Sequence, residues 1–190
     1  MRRLWIPTLH ALAFDAEGRA LWLGAITGLF KSEDGGLTWT RIELPVTGHA
    51  PDVMAIAAHP HDVRTLYVGT HEAGVVRSAD GGRTWTAVNA GLGGLDVHGL
   101  AIDPSTPEKP SRPAWAGSSS TRAPARGSSA TRDGVFRSED AGQSWRRAAG
   151  PKNVAAVAVN PKRPSEVYAA TVDGTTWAST DGGQRWEPRR

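Results

Sequence analysis

Four octets of the form Ser-x-Asp-x-Gly-x-x-Trp punctuate this chain and constrain its fold more than any other feature. They carry Ser32, Asp34, Gly36 and Trp39; Ser78, Asp80, Gly82 and Trp85; Ser138, Asp140, Gly142 and Trp145; and Ser179, Asp181, Gly183 and Trp186. At average residue usage one such octet arises by chance roughly once in a million positions. Four define a repeat protein. Their starts lie 46, 60 and 41 residues apart, and two of these intervals suit a unit of about 40–50 residues built from four short strands.

Each octet follows a strand-like run and precedes another beginning at Trp. The runs are Gly28-Leu29-Phe30-Lys31, Gly74-Val75-Val76-Arg77, Gly134-Val135-Phe136-Arg137 and the weaker Gly174-Thr175-Thr176-Trp177. An Asp followed by Gly between two strands makes a hairpin turn: the carboxylate accepts from backbone N–H groups two or three residues on, and Gly supplies positive φ. The Ser hydroxyl adds a local bond and the Trp covers the turn. A calcium loop needs more carboxylates at alternating positions than the octets contain. Upstream of the octets recur runs such as Val53-Met54-Ala55-Ile56-Ala57-Ala58, then Leu66-Tyr67-Val68-Gly69-Thr70. Short strands separated by Asp, Asn, Pro and Gly turns predict an all-β meander with no amphipathic helix. The first strand of each unit is apolar on both faces, one face being mostly Ala or Gly, which suits a crowded axis.

The octet closely resembles the Asp-box, or BNR/sialidase repeat, of sialidases, sortilin ectodomains, xyloglucanases and photosystem II stability factors. Arg185 departs from the Thr or Ser usual at its position. The resemblance implies a β-propeller in which the octet turns between the third and fourth strands of a blade, away from the catalytic face. It implies no single activity, because enzymes and non-enzymes share the motif.

The reading is therefore one domain over residues 1–190, an array of four four-stranded blades at approximately 9–46, 53–92, 97–150 and 154–190. The third blade is anomalous. Residues 105–133 hold ten Ser or Thr and four Pro, and five basic residues (Lys109, Arg112, Arg122, Arg126, Arg132) against Glu108 and Asp133. Their excess of +3 is the formal net charge of the whole chain. Such a stretch buries too little apolar surface to offset its ordering entropy and is expected to be disordered. Three origins stand open: a surface insertion with a vestigial second strand at Ala114-Trp115-Ala116-Gly117, a basic arm for an anionic partner, or frame-shifted read-through.

Four blades are at the lower limit for a closed ring, and nothing at the amino end looks like a spare strand to staple it. An open or incomplete propeller is expected, with self-association through an open edge. The chain has no Cys, which excludes disulfides, thiol catalysis and Cys-based zinc sites. Although Met1-Arg2-Arg3 and the apolar run after it mimic a signal peptide, residues 9–15 align with the first strand of every other blade. No run approaches the roughly 18 apolar residues of a membrane helix. The mild net charge, confined to one segment, gives no nucleic-acid signal. A cytoplasmic, bacterial protein is the favoured setting, with secreted or periplasmic locations left open.

On the face opposite the octets, the loops bring His49 and Asp52, His71 and Glu72, and Asp96 and His98. His10 and His98 occupy equivalent first-strand positions. These seven are the candidate ligand-face residues, as a polar or metal-binding cluster or as solvated loops. No metal or cofactor is assigned. Sialidases resembling these repeats use an arginine triad, a Tyr nucleophile with its Glu, and an Asp. Here Tyr67 and Tyr168 fall at equivalent strand positions, as packing residues would, and no catalytic residue is assigned. The expected function is a non-catalytic binding or assembly module for a protein or peptide, the alternative being a degenerate or truncated sialidase-like glycoside hydrolase.

Overall fold

In the computed structural model each octet closes in the same way. Ser32 Oγ donates to Asp34 Oδ1 (2.7 Å) and accepts from the Gly36 amide (2.8 Å). The Thr38 amide and hydroxyl donate to the two Asp34 oxygens at 2.9 and 2.6 Å. Trp39 Nε1 donates to the Gly36 carbonyl at 3.1 Å. The second and fourth copies repeat this with their own Trp, whereas Trp145 Nε1 reaches across to the Val88 carbonyl at 2.8 Å. The carboxylate thus serves amides three and four residues on, one residue further than the turn chemistry predicts, and all four octet Ser residues are buried.

These bonds act on the carboxyl groups. The Thr38 hydroxyl, then its amide and the Ser32 hydroxyl, hold Asp34 down to about 2. The Thr84 hydroxyl and amide hold Asp80 lower still. For Asp140 burial opposes the shift, but the Ser144 hydroxyl and amide and the Ser138 hydroxyl outweigh it. The Arg185 amide leads in lowering Asp181, which has no hydroxyl at position 185 to help. A carboxyl lowered in the fold stabilises it above the unfolded value, near 4, and that contribution disappears as pH falls through the folded value. Thermal stability should therefore drop between about pH 4 and about pH 2. Melting scans across this window should show a shallower drop for Asp34→Asn than for the unaltered chain.

The structure describes residues 8–46, 50–103, 127–140, 142–160 and 163–189. Among these residues sixteen strands form four antiparallel four-stranded sheets, each in sequence order, and there is no helix. The first blade is β1 (Leu9–Phe14), β2 (Leu21–Ala25), β3 (Gly28–Ser32) and β4 (Thr40–Ile42). The second is β5 (Val53–Ala58), β6 (Leu66–Thr70), β7 (Val75–Ser78) and β8 (Thr86–Ala87). The third is β9 (Val97–Ile102), β10 (Gly127–Thr131), β11 (Gly134–Ser138) and β12 (Arg146–Arg147), and the fourth β13 (Val154–Val159), β14 (Val167–Thr171), β15 (Thr176–Ser179) and β16 (Glu187–Arg189).

One expectation is corrected here. The third blade does have a second strand, and it lies inside the stretch expected to be disordered: β10 pairs with β9 and β11 along its whole length. Gly-Ser-Ser-Ala-Thr has no apolar alternation, so its extended state comes from the two strands it bridges. Residues 114–117, the expected vestigial strand, lie outside the described residues.

The blades join through a repeated contact. A Cβ on Gly24 would stand 2.6 Å from Val53 Cγ1, and one on Gly69 would stand 2.7 Å from Val97 Cγ1. Each first-strand Val thus seats over the glycine of the preceding blade's second strand. Three apolar clusters span the three joints, around Trp22, Val53 and Trp85, around Tyr67, Val97 and Trp145, and around Val135, Val154 and Ala169. The inner strands touch in the order β1, β5, β9, β13, and among the described residues β13 makes no comparable contact with β1. The array is open, and its leading face shows it: Leu9, Leu12 and Phe14 are 58–64% exposed, where their counterparts Val53, Ile56 and Ala58 pack into the first joint.

A defect in β10 yields a second prediction. Ser129 occupies the register position of Leu23 and Val68, is fully buried, and its hydroxyl has no hydrogen-bond partner among the described residues. Removing an unpaired buried hydroxyl should help, so Ser129→Ala is expected to stabilise by about 1 kcal/mol, read as a higher melting temperature. A lower one would mean that the hydroxyl is paired in solution.

Candidate functional site

The face opposite the octets is built from two kinds of segment: the residue that leads into each first strand, and the turn between the second and third strands. Backbone hydrogen bonds fix one to the other. The His71 amide donates to the Asp52 carbonyl (3.0 Å), Val172 to Asn153 (3.0 Å), and Asn153 to Arg132 (2.8 Å), the last tying the third blade to the fourth. Side chains at these positions must share one surface.

Asp96 is the hub. Its Oδ1 lies 3.0 Å from His98 Nε2 and 3.7 Å from His71 Nε2, and its Oδ2 lies 2.9 Å from Arg132 Nε. The His71 and His98 rings stand edge to face, 6.1 Å apart, and His71 Nδ1 approaches Glu72 at 3.8 Å. A second, smaller pair joins the first two blades, with His10 Nε2 3.1 Å from Asp52 Oδ1. Asp52, His71 and Glu72 also line a cleft of about 560 Å³ whose apolar wall includes Ile26, Val46 and Pro51.

Five expected residues therefore gather as His71, Glu72, Asp96 and His98 around the hub with Asp52 in the adjoining cleft, and His10 borders them through Asp52. His49 lies outside the described residues. Arg132 was not among the candidates, because it fell in the stretch expected to be disordered. Its signal was positional: it follows Thr131 as His71 follows Thr70.

The carboxylates carry the chemistry of the face. Asp52 Oδ1 and Asp96 Oδ1 are buried, and among the described residues neither accepts a directed hydrogen bond despite the nearby imidazoles. Each carboxylate also keeps an accessible portion, 27% of the side chain for Asp52 and 22% for Asp96, from which it can accept further hydrogen bonds. The surface therefore suits N–H, O–H or ammonium donors, with Glu72, 69% exposed, at the rim. Among the described residues no group of three or more His, Cys, Asp or Glu is arranged to hold a metal ion, and no helix is long and apolar enough to cross a membrane.

No protein-family model matches the sequence, and no curated protein matches it. Solved structures do resemble the fold. An ancestral GH74 enzyme superposes with TM-score 0.69 at 19% identity, over 98% of this chain and 25% of its own. A GH74 enzyme of Niastella koreensis superposes with TM-score 0.70 at 20% identity, over 95% and 30%. The WD40 repeats of RRP9 superpose with TM-score 0.65 at 16% identity, over 98% and 52%. The chain thus spans between a quarter and a third of the two GH74 enzymes' length. Likeness at this identity establishes the β-propeller fold.

Proposed function

We propose that this chain is a non-catalytic propeller module that binds a protein or peptide segment on the face around Asp52 and Asp96, and that its octets are Asp-box turns. The observation that carries the reading is the gathering of three accessible carboxylates, Asp52, Glu72 and Asp96, on this one face. Peptide amides and amino groups are the donors that a polypeptide brings in quantity. The imidazoles of His10, His71 and His98 hold these carboxylates in place, beside a cleft with an apolar wall that accommodates a side chain. The Asp-box assignment rests on the octet's residues and on the turn between third and fourth strands that all four copies make. The exposed Leu9, Leu12 and Phe14 support self-association as a further property of the module, which light scattering would detect as a mass above 20.2 kDa.

The competing reading is a glycoside hydrolase, and one experiment separates the two. The purified chain is assayed for turnover of fluorogenic sialosides and β-glucosides, and in parallel on an array of random peptides. Expected are no turnover and a set of bound peptides whose signal falls at least about tenfold in Asp96→Asn. Turnover that Glu72→Gln or Asp96→Asn abolishes would replace the binding reading with an enzymatic one.

A further inference from the structure

Each joint inside the chain is made in the same way. The first strand of one blade lies against the first and second strands of the blade before it: β5 on β1 and β2, β9 on β5 and β6, β13 on β9 and β10. In the first two joints the earlier blade offers an aromatic ring from its second strand, and the next blade covers it. Trp22 shares a buried cluster with Val53, against which Ile56 and Ala58 pack. Tyr67 shares one with Val97, against which Leu100 and Ile102 pack. Each ring also fills the space beside the glycine of the next octet, Trp22 at Gly82 and Tyr67 at Gly142.

The two outer faces of the array are the unmatched halves of this joint. On the trailing face of the fourth blade, Tyr168 holds the register position of Trp22 and Tyr67. It is 39% exposed, where those rings are 1% and 4% exposed, and Ala156 and Ala158 of β13 are exposed as well. On the leading face of the first blade, Leu9, Leu12 and Phe14 hold the positions of Val53, Ile56 and Ala58. Among the described residues, the space beside Gly36 meets only Trp39 of its own octet and Leu21 of its own blade. On that leading face Leu23, Ala25 and Phe30 are buried. The apolar exposure is thus concentrated on β1, the strand that makes a joint.

We propose that these two faces meet between two copies of this chain, head to tail, with β1 of one copy against β13 and β14 of the other. Leu12 and Phe14 then cover Tyr168, and that ring enters the space beside Gly36. Leu9 seats over Ala170, which holds the register position of Gly24 and Gly69. An alanine there does not bar a joint, because Ala130 holds the same position at the third joint, which is closed. Each copy carries both faces, so two chains make two equivalent joints about a two-fold axis and close a ring. Propellers have about four to eight blades, so a second copy reaches the upper end of that range and a third exceeds it. The proposal rests on the self-association of the module and not on peptide binding, and it uses no residue of the Asp96 cluster.

The test is light scattering on the full chain from about 1 to about 100 μM, because such an assembly depends on protomer concentration. Expected is a plateau at twice 20.2 kDa. Leu12→Asp damages the leading half of the joint and Tyr168→Asp the trailing half, at residues already exposed in the single chain. Each variant alone should drop to the one-chain mass, its association weakened at least about a hundredfold by a carboxylate buried without a partner. Mixed in equal amounts, the two should regain the two-chain mass at the upper concentrations. The intact trailing face of Leu12→Asp then meets the intact leading face of Tyr168→Asp, which a misfolded variant could not provide. A one-chain mass for the unaltered chain overturns the proposal together with self-association. A two-chain mass that Tyr168→Asp leaves intact, or a mixture that stays at the one-chain mass, overturns the head-to-tail joint alone. A mass that rises past two chains with concentration overturns the closed ring.

Discussion

Gly82→Ala is expected to cost this protein about 3 kcal/mol, enough to lower its melting temperature by about 10 °C. Two effects add. Gly82 sits at φ +84°, where a side chain other than hydrogen is strained by about 1–2 kcal/mol. A methyl group there would also stand 2.1 Å from Trp22 Cη2, and Trp22 is only 1% exposed, wedged against Trp85 with ring centres 6.1 Å apart. The indole has nowhere to go without unseating the joint. Gly81 provides the control. Its φ of +77° is equally unfavourable, but nothing lies within 4 Å of its virtual methyl, so Gly81→Ala should show the backbone cost alone. If denaturant unfolding gives the two variants equal losses, the ring contact contributes nothing. Combining Gly82→Ala with Trp22→Leu should recover part of the loss, because the two positions touch and cannot be additive.

Trp145→Ala should be the most damaging single truncation, at about 3–5 kcal/mol. Trp145 is 4% exposed within the second joint, among Tyr67, Val75, Val97 and Phe136. Its ring and backbone both reach the preceding blade: Nε1 donates to the Val88 carbonyl (2.8 Å) and the main-chain amide to the Ala90 carbonyl (2.7 Å). The hydrogen bond can be weighed separately from the packing. Trp145→Phe removes a paired indole N–H and leaves the Val88 carbonyl unsatisfied. Trp22→Phe removes an N–H that is buried and has no partner among the described residues. The first should therefore cost about 1 kcal/mol more than the second. Chemical denaturation of all three variants checks the order, and it fails if Trp22→Phe is the worse of the two Phe variants.

Much of this molecule could be read from its residues, and the exceptions have a physical pattern. The octets carry their own turn chemistry within a few residues, so their conformation needs no information from elsewhere. Strands such as β5 and β6 advertise themselves by uninterrupted apolar runs. β10 does not, because Gly127 to Thr131 extend only under the influence of β9 and β11, and their composition is that of a linker. Missing it also hid Arg132, whose place beside Asp96 depends on the strand before it. The gathering of His71, Asp96 and His98 was legible, since all three flank strand ends on the same side. The unpartnered carboxylate oxygens were not, because the sequence does not specify the angle at which an imidazole approaches.

The bonds made by the Ser and Asp side chains of every octet close within four residues, and the joints are built between adjacent blades. Stability in such a chain is a sum of local units and nearest-neighbour couplings. Its folding can start at any turn and spread in either direction, with little loop-closure entropy to overcome at each step. Sequence change is correspondingly contained. A blade can accept a poor second strand such as β10 while the units two places away keep the contacts they had.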